Sequence, residues 1–161
     1  MKILITGANG LLGQKLVSLI INGAEHELIA TARGANRLPF DERKYAYDSL
    51  DITKESQVKS AIAQHKPDVV IHTAAMTNVD QCETEKEECW DLNVNAVQYI
   101  VDACEVNNTF LVHLSTDFIF DGESGPYGEE AEANPISYYG ESKLASEQII
   151  TQSKLDWSIV R

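Results

Sequence analysis

Met1-Lys2-Ile3-Leu4-Ile5-Thr6-Gly7-Ala8-Asn9-Gly10-Leu11-Leu12-Gly13 is the stretch that decides the fold. Its first six residues form a short apolar run with β-branched members, the pattern of a buried strand. Glycines then recur at every third position, and Gln14 to Ile21 carries helical periodicity. Strand, glycine turn and helix in this order are the opening of a dinucleotide-binding fold. Gly7 permits a tight turn, Gly10 lets a pyrophosphate approach the backbone, and Gly13 lets helix and strand pack closely. The free N–H groups of the first helical turn then face an anion, which the helix dipole favours. Turns between strand and helix often contain glycine without binding anything, so the motif gains its meaning from the elements after it.

Beyond this opening, strand and helix patterns alternate. The first helix is expected over Leu11–Ile21, ended by Asn22-Gly23. A second strand follows over Glu27–Ala32, a loop over Arg33–Glu42, and a short third strand over Lys44–Asp48. Thr53 and Ser56 are candidate caps for a helix running to about Gln64, which Pro67 stops. Asp68–His72 reads as a strand buried on both faces. Val94, Val97, Ile100, Val101 and Cys104 mark a long helical region, and Thr109–Ser115 a fifth strand. Thr116–Pro135 is a loop long enough to suggest function. A helix over Ser137–Gln152 and a strand over Trp157–Arg161 complete the chain. The alternation predicts an α/β, Rossmann-type, doubly wound parallel sheet with strand order 3-2-1-4-5-6 and helices on both faces. One dinucleotide-binding domain covers residues 1–161. Because the chain stops on a strand, a further C-terminal piece is expected, which would leave the substrate-binding portion largely absent.

The 161 residues carry 25 acidic and 13 basic side chains, a formal net charge of −12. Nucleic-acid binding normally needs a basic face, which this sequence lacks. Acidity concentrates in Glu83–Asp91 and Asp121–Glu132, read as a solvated helix face and a solvated loop. Cys82, Cys89 and Cys104 lack C-x-x-C spacing, and His26, His65, His72 and His113 are scattered, so no metal site is expected. Sparse cysteines fit a reduced, cytoplasmic protein. Leu16–Ile21, the longest apolar stretch, is broken by Ser18 and too short for a membrane span or signal peptide.

Two further motifs carry chemistry. In Tyr139-Gly-Glu-Ser-Lys143, tyrosine and lysine share a helix face. A phenol is a weak acid at neutral pH, and a nearby ammonium lowers its pKa. Tyr138 lacks this spacing. Ser115-Thr116-Asp117 stands at the C-terminal end of the fifth strand, where ligands sit in open parallel sheets. A hydroxyl there can stabilise charge developing on a carbonyl oxygen; equally, it can satisfy loop backbone. The order of the three motifs favours the functional reading.

Together the motifs resemble the extended short-chain dehydrogenase/reductases, and most closely the dTDP-4-dehydrorhamnose reductases and related sugar-nucleotide reductases. The likeness rests on His72-Thr-Ala-Ala-Met-Thr-Asn-Val-Asp80-Gln-Cys-Glu83, Leu92-Asn93, Ser115-Thr-Asp-Phe-Ile-Phe-Asp-Gly122 and Tyr139-Gly-Glu-Ser-Lys143. The resemblance implies NAD(P)H-dependent reduction of a 4-keto sugar nucleotide. Tyr139 would protonate the keto oxygen, Lys143 would tune Tyr139 and hold the nicotinamide ribose, Thr116 would polarise the carbonyl, and Asp117 would line the same site. Cofactor contacts would come from Gly7, Asn9, Gly10, Leu11, Leu12, Gly13, Arg33, Asp51, Ile52, Ala74, Ala75, Thr77, Asn93 and Ser115, and from Tyr139 and Lys143 themselves. For Asp51, Ile52, Ala74, Ala75 and Asn93, ordinary packing explains the residue type equally well. The family runs to nearly twice this length, so most substrate contacts should lie outside these residues. A non-catalytic NADP-binding subunit of the methionine adenosyltransferase type, and an epimerase or dehydratase, are the competing readings; a homodimer is common among such folds.

Cofactor choice has a physical basis. An NAD site places a carboxylate near the end of the second strand, for the ribose 2′-hydroxyl. Here that region reads Thr31-Ala-Arg33-Gly, with Arg37 following and no acid before Asp41. Guanidinium groups suit a 2′-phosphate, so NADPH is expected over NADH, although the family accommodates both.

Overall fold

The apolar run at the N-terminus becomes an inner strand of the sheet. A computed structural model describes residues 1–23 and 25–161. Six strands, β1 (Lys2–Thr6), β2 (Glu27–Ala32), β3 (Ala46–Ser49), β4 (Val69–His72), β5 (Phe110–Leu114) and β6 (Trp157–Val160), lie in the order β3-β2-β1-β4-β5-β6. All five pairings are parallel, as the alternating pattern predicts. Between them run α1 (Leu11–Gly23), α2 (Glu55–His65), α3 (Val79–Thr84), α4 (Lys86–Trp90), α5 (Ala96–Asn107) and α6 (Tyr138–Thr151).

Alternation along each strand divides the core. Leu4, Ile29, Val70 and Leu111 point to one face, where Val58 and Ile62 of α2, Val97, Ile100 and Cys104 of α5, and Ile150 of α6 cover them. Ile3, Ile5, Leu28 and Ala30 point to the other, against Val17 of α1 and Tyr45. Each fully buried aliphatic side chain contributes about 1.5–3 kcal/mol. The expectation that β4 is buried on both faces does not hold. Val70 and His72 are buried, while Val69 and Ile71 are only partly so, because α1 packs over β1 and β2 and leaves β4 half-covered on its side.

One local reading also changes. Thr53 does not cap α2: its backbone N–H and hydroxyl both donate to Asp51 Oδ1, at 3.0 and 2.7 Å. Lys54 takes the cap position without a side-chain bond, and Ser56 lies inside the helix. The long helical region expected before β5 is helical from Asp91 to Asn107, as one π-helical turn over Asp91–Asn95 followed by α5, with α3 and α4 preceding it. Ser137, in contrast, caps α6 by accepting from Gly140 N at 3.1 Å.

Candidate active site and cofactor cleft

The glycine turn has the geometry its sequence requires. Gly7 has φ +73°, and a Cβ there would lie 2.8 Å from Ala74 N and 2.9 Å from Thr73 Oγ1. A Cβ on Gly13 would fall 2.3 Å from Gly7 O, so α1 sits directly on the turn. Gly10, exposed, meets only Gly7 O at 3.2 Å, and its outer side is open to a ligand. The first turn of α1 carries no acidic side chain, so nothing neutralises the positive end of the helix. Leu11 and Leu12 project outward there, 82% and 46% exposed. Asn9 binds this turn to the loop after β2. Its Nδ2 donates to Ala35 O at 3.1 Å, and its Oδ1 accepts from Arg37 N at 3.1 Å.

A cleft of about 300 Å³ opens above the strand ends. Gly7, Asn9, Gly10, Arg33, Asp51, Ile52, Ala74 and Ala75 of the expected set line it, with Arg37 and Leu92 besides. Burial raises the Asp51 carboxyl, but the two hydrogen bonds from Thr53, with Arg33 and Lys54 nearby, bring it below the ordinary range. Thr77 is exposed and does not line this cleft. A glycine cradle, a helix start free of acidic side chains and two guanidinium groups fit a dinucleotide carrying an additional phosphate.

The loop from Thr73 to Met76 leads from this cleft to a second cluster. Asn93, on the π-helical turn, accepts from Met76 N at 2.8 Å and donates to Met76 O and Ser142 Oγ, each at 3.0 Å. It therefore ties the loop after β4 to α6, one residue before Lys143. A π-turn adds a residue to the helical repeat and is common where side chains must be re-aimed at a site. Ser142 Oγ in turn donates to Tyr139 O at 2.7 Å.

Tyr139 is 8% exposed, and Phe118 packs edge-on against it with ring centroids 5.8 Å apart. Burial raises the phenol above its usual pKa, and the adjacent Thr116 hydroxyl partly offsets this. The lowering by a neighbouring ammonium expected from the sequence is absent. Lys143 Nζ is directed elsewhere: it donates to Leu114 O at 2.7 Å and lies 3.0 Å from His113 Nε2. Desolvation brings the Lys143 pKa down to about 8, against the opposing pull of Glu147. Thr116 caps a short 3₁₀ turn over Asp117–Ile119, accepting from Phe118 N at 3.2 Å and donating to Asp117 Oδ1 at 3.3 Å. Asp117 is exposed, and Ser115 Oγ is buried without a partner.

Three contributors carry no role assigned from the sequence. A Cβ on Gly140 would lie 2.3 Å from Phe118 O, so α6 rests on the Thr116 turn; a glycine within a helical pattern is the signal that flags such an approach. His113 and Ser142 give no signal, since a polar residue in a strand or helix is unremarkable until its partner is known. Among the described residues no cluster of three His, Cys, Asp or Glu side chains could hold a metal, and no helix is long and apolar enough to cross a membrane.

A parallel sheet in this order, opened by a glycine turn after β1, defines a Rossmann-type α/β domain. The chain belongs to the RmlD substrate binding domain family, whose match covers residues 1–161. It is 39% identical over 150 residues to a dTDP-4-dehydrorhamnose reductase of Aggregatibacter actinomycetemcomitans, covering 92% of this chain and 46% of that protein. It is 35% identical to methionine adenosyltransferase 2 subunit beta of Danio rerio, covering 92% of this chain and 43% of the relative. A hypothetical dTDP-4-dehydrorhamnose reductase from Sulfolobus tokodaii superposes with TM-score 0.88 at 42% identity, covering 100% of this chain and 55% of that one. A Bacillus anthracis dTDP-4-dehydrorhamnose reductase solved in complex with NADP superposes with TM-score 0.81 at 34% identity, covering 99% and 52%. The chain thus spans about half the length of the curated relatives it matches.

Proposed function

We propose that this chain is the cofactor-binding and proton-donating part of an NADPH-dependent reductase acting on the keto group of a nucleotide sugar, of the dTDP-4-dehydrorhamnose type. The observation that carries the reading is a juxtaposition. A glycine-lined cleft flanked by Arg33 and Arg37 is joined, through Thr73–Met76 and Asn93, to a buried tyrosine beside a strand-end threonine. Gly7, Gly10 and the first turn of α1 would hold the pyrophosphate, Arg33 and Arg37 the 2′-phosphate, and Ala74 and Ala75 the floor beneath. When bound, NADPH supplies the hydride for the carbonyl carbon. Tyr139, kept protonated by its burial, donates the phenolic proton to the carbonyl oxygen, and the Thr116 hydroxyl stabilises the charge developing there. The reaction balances as one hydride and one proton added across C=O. The names of the relatives at 39% and 42% identity support the substrate class.

A second reading is a non-catalytic NADP-binding subunit; the likeness to methionine adenosyltransferase 2 subunit beta of Danio rerio supports a subunit role. Oxidation of NADPH against a dTDP-4-keto sugar separates the two. In a polypeptide extended to the length of the relatives, Tyr139→Phe should lower turnover by about 10²–10⁴-fold with NADPH affinity nearly unchanged. Equal turnover by the phenylalanine variant eliminates Tyr139 as the acid, and absence of any NADPH oxidation favours the subunit.

A further inference from the structure

The polar row across the sheet contains more than the proposed reaction uses. Register places Thr6, His72 and His113 side by side on β1, β4 and β5, all on the face toward α6. His72 Nδ1 lies 2.6 Å from Thr6 Oγ1, and its ring stacks on His113 with centroids 5.3 Å apart. His113 is fully buried, and its Nε2 is 3.0 Å from Lys143 Nζ and 3.1 Å from Ser146 Oγ. Ser146 Oγ already donates its only hydrogen to Lys143 O at 2.7 Å, so it cannot also donate to His113.

We propose that His113 is a positioning residue for Lys143: in the Nδ1–H tautomer, its Nε2 accepts a hydrogen bond from the ammonium and fixes the direction of that group at the end of β5. Two tautomers compete: an Nε2–H would donate to the free lone pair of Ser146 Oγ at 3.1 Å, whereas an Nδ1–H leaves Nε2 to accept from the ammonium. An N–H on Nε2 would point at an ammonium 3.0 Å away. Of the three N–H donors on Lys143, one is held by Leu114 O and one by His113 Nε2. The third is then directed by the other two and remains for a ligand hydroxyl. With Leu114 O alone, the ammonium would rotate about a single contact. The cost is visible in the same ring, since His113 Nδ1 is buried without a partner. The titratable groups toward Lys143 are His113 of β5, His72 of β4 behind it, and Tyr139 and Glu147 of α6; Cys89 of α4 touches the neighbouring Ser142. Burial and the Lys143 charge both hold His113 neutral, well below its ordinary pKa. The consequence for turnover rests on the function proposed above, whereas the hydrogen bond itself does not.

The test uses the 161-residue chain with ¹⁵N-labelled histidine and lysine, titrated from about pH 6 to about pH 9 to span the relevant charge changes. His113 should show an unprotonated, pyridine-type Nε2 and a protonated Nδ1 for as long as Lys143 is an ammonium. In His113→Leu the Lys143 midpoint should fall by about one unit, the tenfold shift expected for one charge-assisted hydrogen bond. His113→Gln, whose side-chain oxygen reaches the place of Nε2, should restore most of it. A protonated Nε2 below the Lys143 midpoint overturns the proposal, as does a midpoint unmoved in a folded His113→Leu variant. If that variant does not fold, the wild-type tautomer alone decides. Failure of the chain to bind NADPH with the tautomer as stated upholds the hydrogen bond and removes only the functional reading.

Discussion

Gly140→Ala tests the contact that joins the two halves of the candidate site. Gly140 lies in the first turn of α6, and a Cβ there would sit 2.3 Å from Phe118 O, 3.2 Å from Phe118 C and 3.0 Å from Pro135 Cβ. Two effects oppose each other. Replacing glycine by alanine within a helix gains about 1 kcal/mol of intrinsic propensity. To reach ordinary van der Waals separation from the Phe118 carbonyl, however, α6 and the Thr116–Ile119 segment must part by about 1 Å. The atom that must yield is backbone, so no rotamer change relieves the overlap. Overpacking of this kind costs about 1–3 kcal/mol, occasionally more. The net expectation is a destabilisation of up to about 2 kcal/mol, read as a Tm lower by up to about 8 °C for a domain of this size. Gly23→Ala is the control. Gly23 ends α1 with nothing within 4 Å of the added methyl, and that variant should gain about 0.4–1 kcal/mol. Urea and thermal unfolding of both variants measure the difference. In the extended polypeptide, the same 1 Å displacement of Tyr139 from Thr116 should slow turnover by about 10²-fold. A Gly140→Ala protein at least as stable as the parent, with Gly23→Ala behaving as stated, refutes the close-packing argument.

Acid should weaken the fold through its buried imidazoles. Burial, then the Lys143 charge, holds His72 at a pKa of about 3, so between about pH 6.5 and that value only the unfolded chain takes up its proton. Stability is therefore complete above the unfolded value and falls with pH by up to about 1.4 kcal/mol per unit for this group; His113, shifted the same way, steepens the slope. Urea unfolding at about pH 7 and about pH 5 should show a smaller loss in His72→Phe than in the parent, and identical losses would exclude this origin. Asn93→Ala leaves the Met76 N–H without its partner and the Met76 carbonyl with only the Cys82 thiol at 3.8 Å, and should cost about 1–3 kcal/mol in the same assay; a loss below about 0.5 kcal/mol would show that water replaces the amide. Arg33→Ala and Arg37→Ala should each weaken NADPH by about tenfold while leaving NADH nearly unchanged, as the loss of one charged hydrogen bond predicts. Calorimetric titration with both cofactors decides, and parallel losses for the two would detach these arginines from the 2′-phosphate.

The fold was legible because it depends on periodicity, which a sequence displays directly. Apolar runs with β-branched residues gave five of the six strands, all but β3, and the glycines after β1 marked the turn that Gly7 makes at φ +73°. What failed did so where one group must choose between partners. Thr53 is as good a cap as Ser137 by residue type, yet Asp51 lies two residues before it and takes its hydroxyl. The π-turn was not legible either: Asn93 on it bonds both Met76 and Ser142, contacts separated by 17 and 49 residues in sequence. Lys143 illustrates the same limit most sharply. Its spacing from Tyr139 correctly places both on α6, and from spacing alone the ammonium should act on the phenol. The helix instead lies against β5, where Leu114 O and His113 Nε2 are nearer acceptors. Burial raises the Tyr139 phenol, while the lysine is held by the strand rather than by its neighbour one turn away. Helical spacing therefore identifies which side chains share a surface; the strand beneath that surface decides what each of them does.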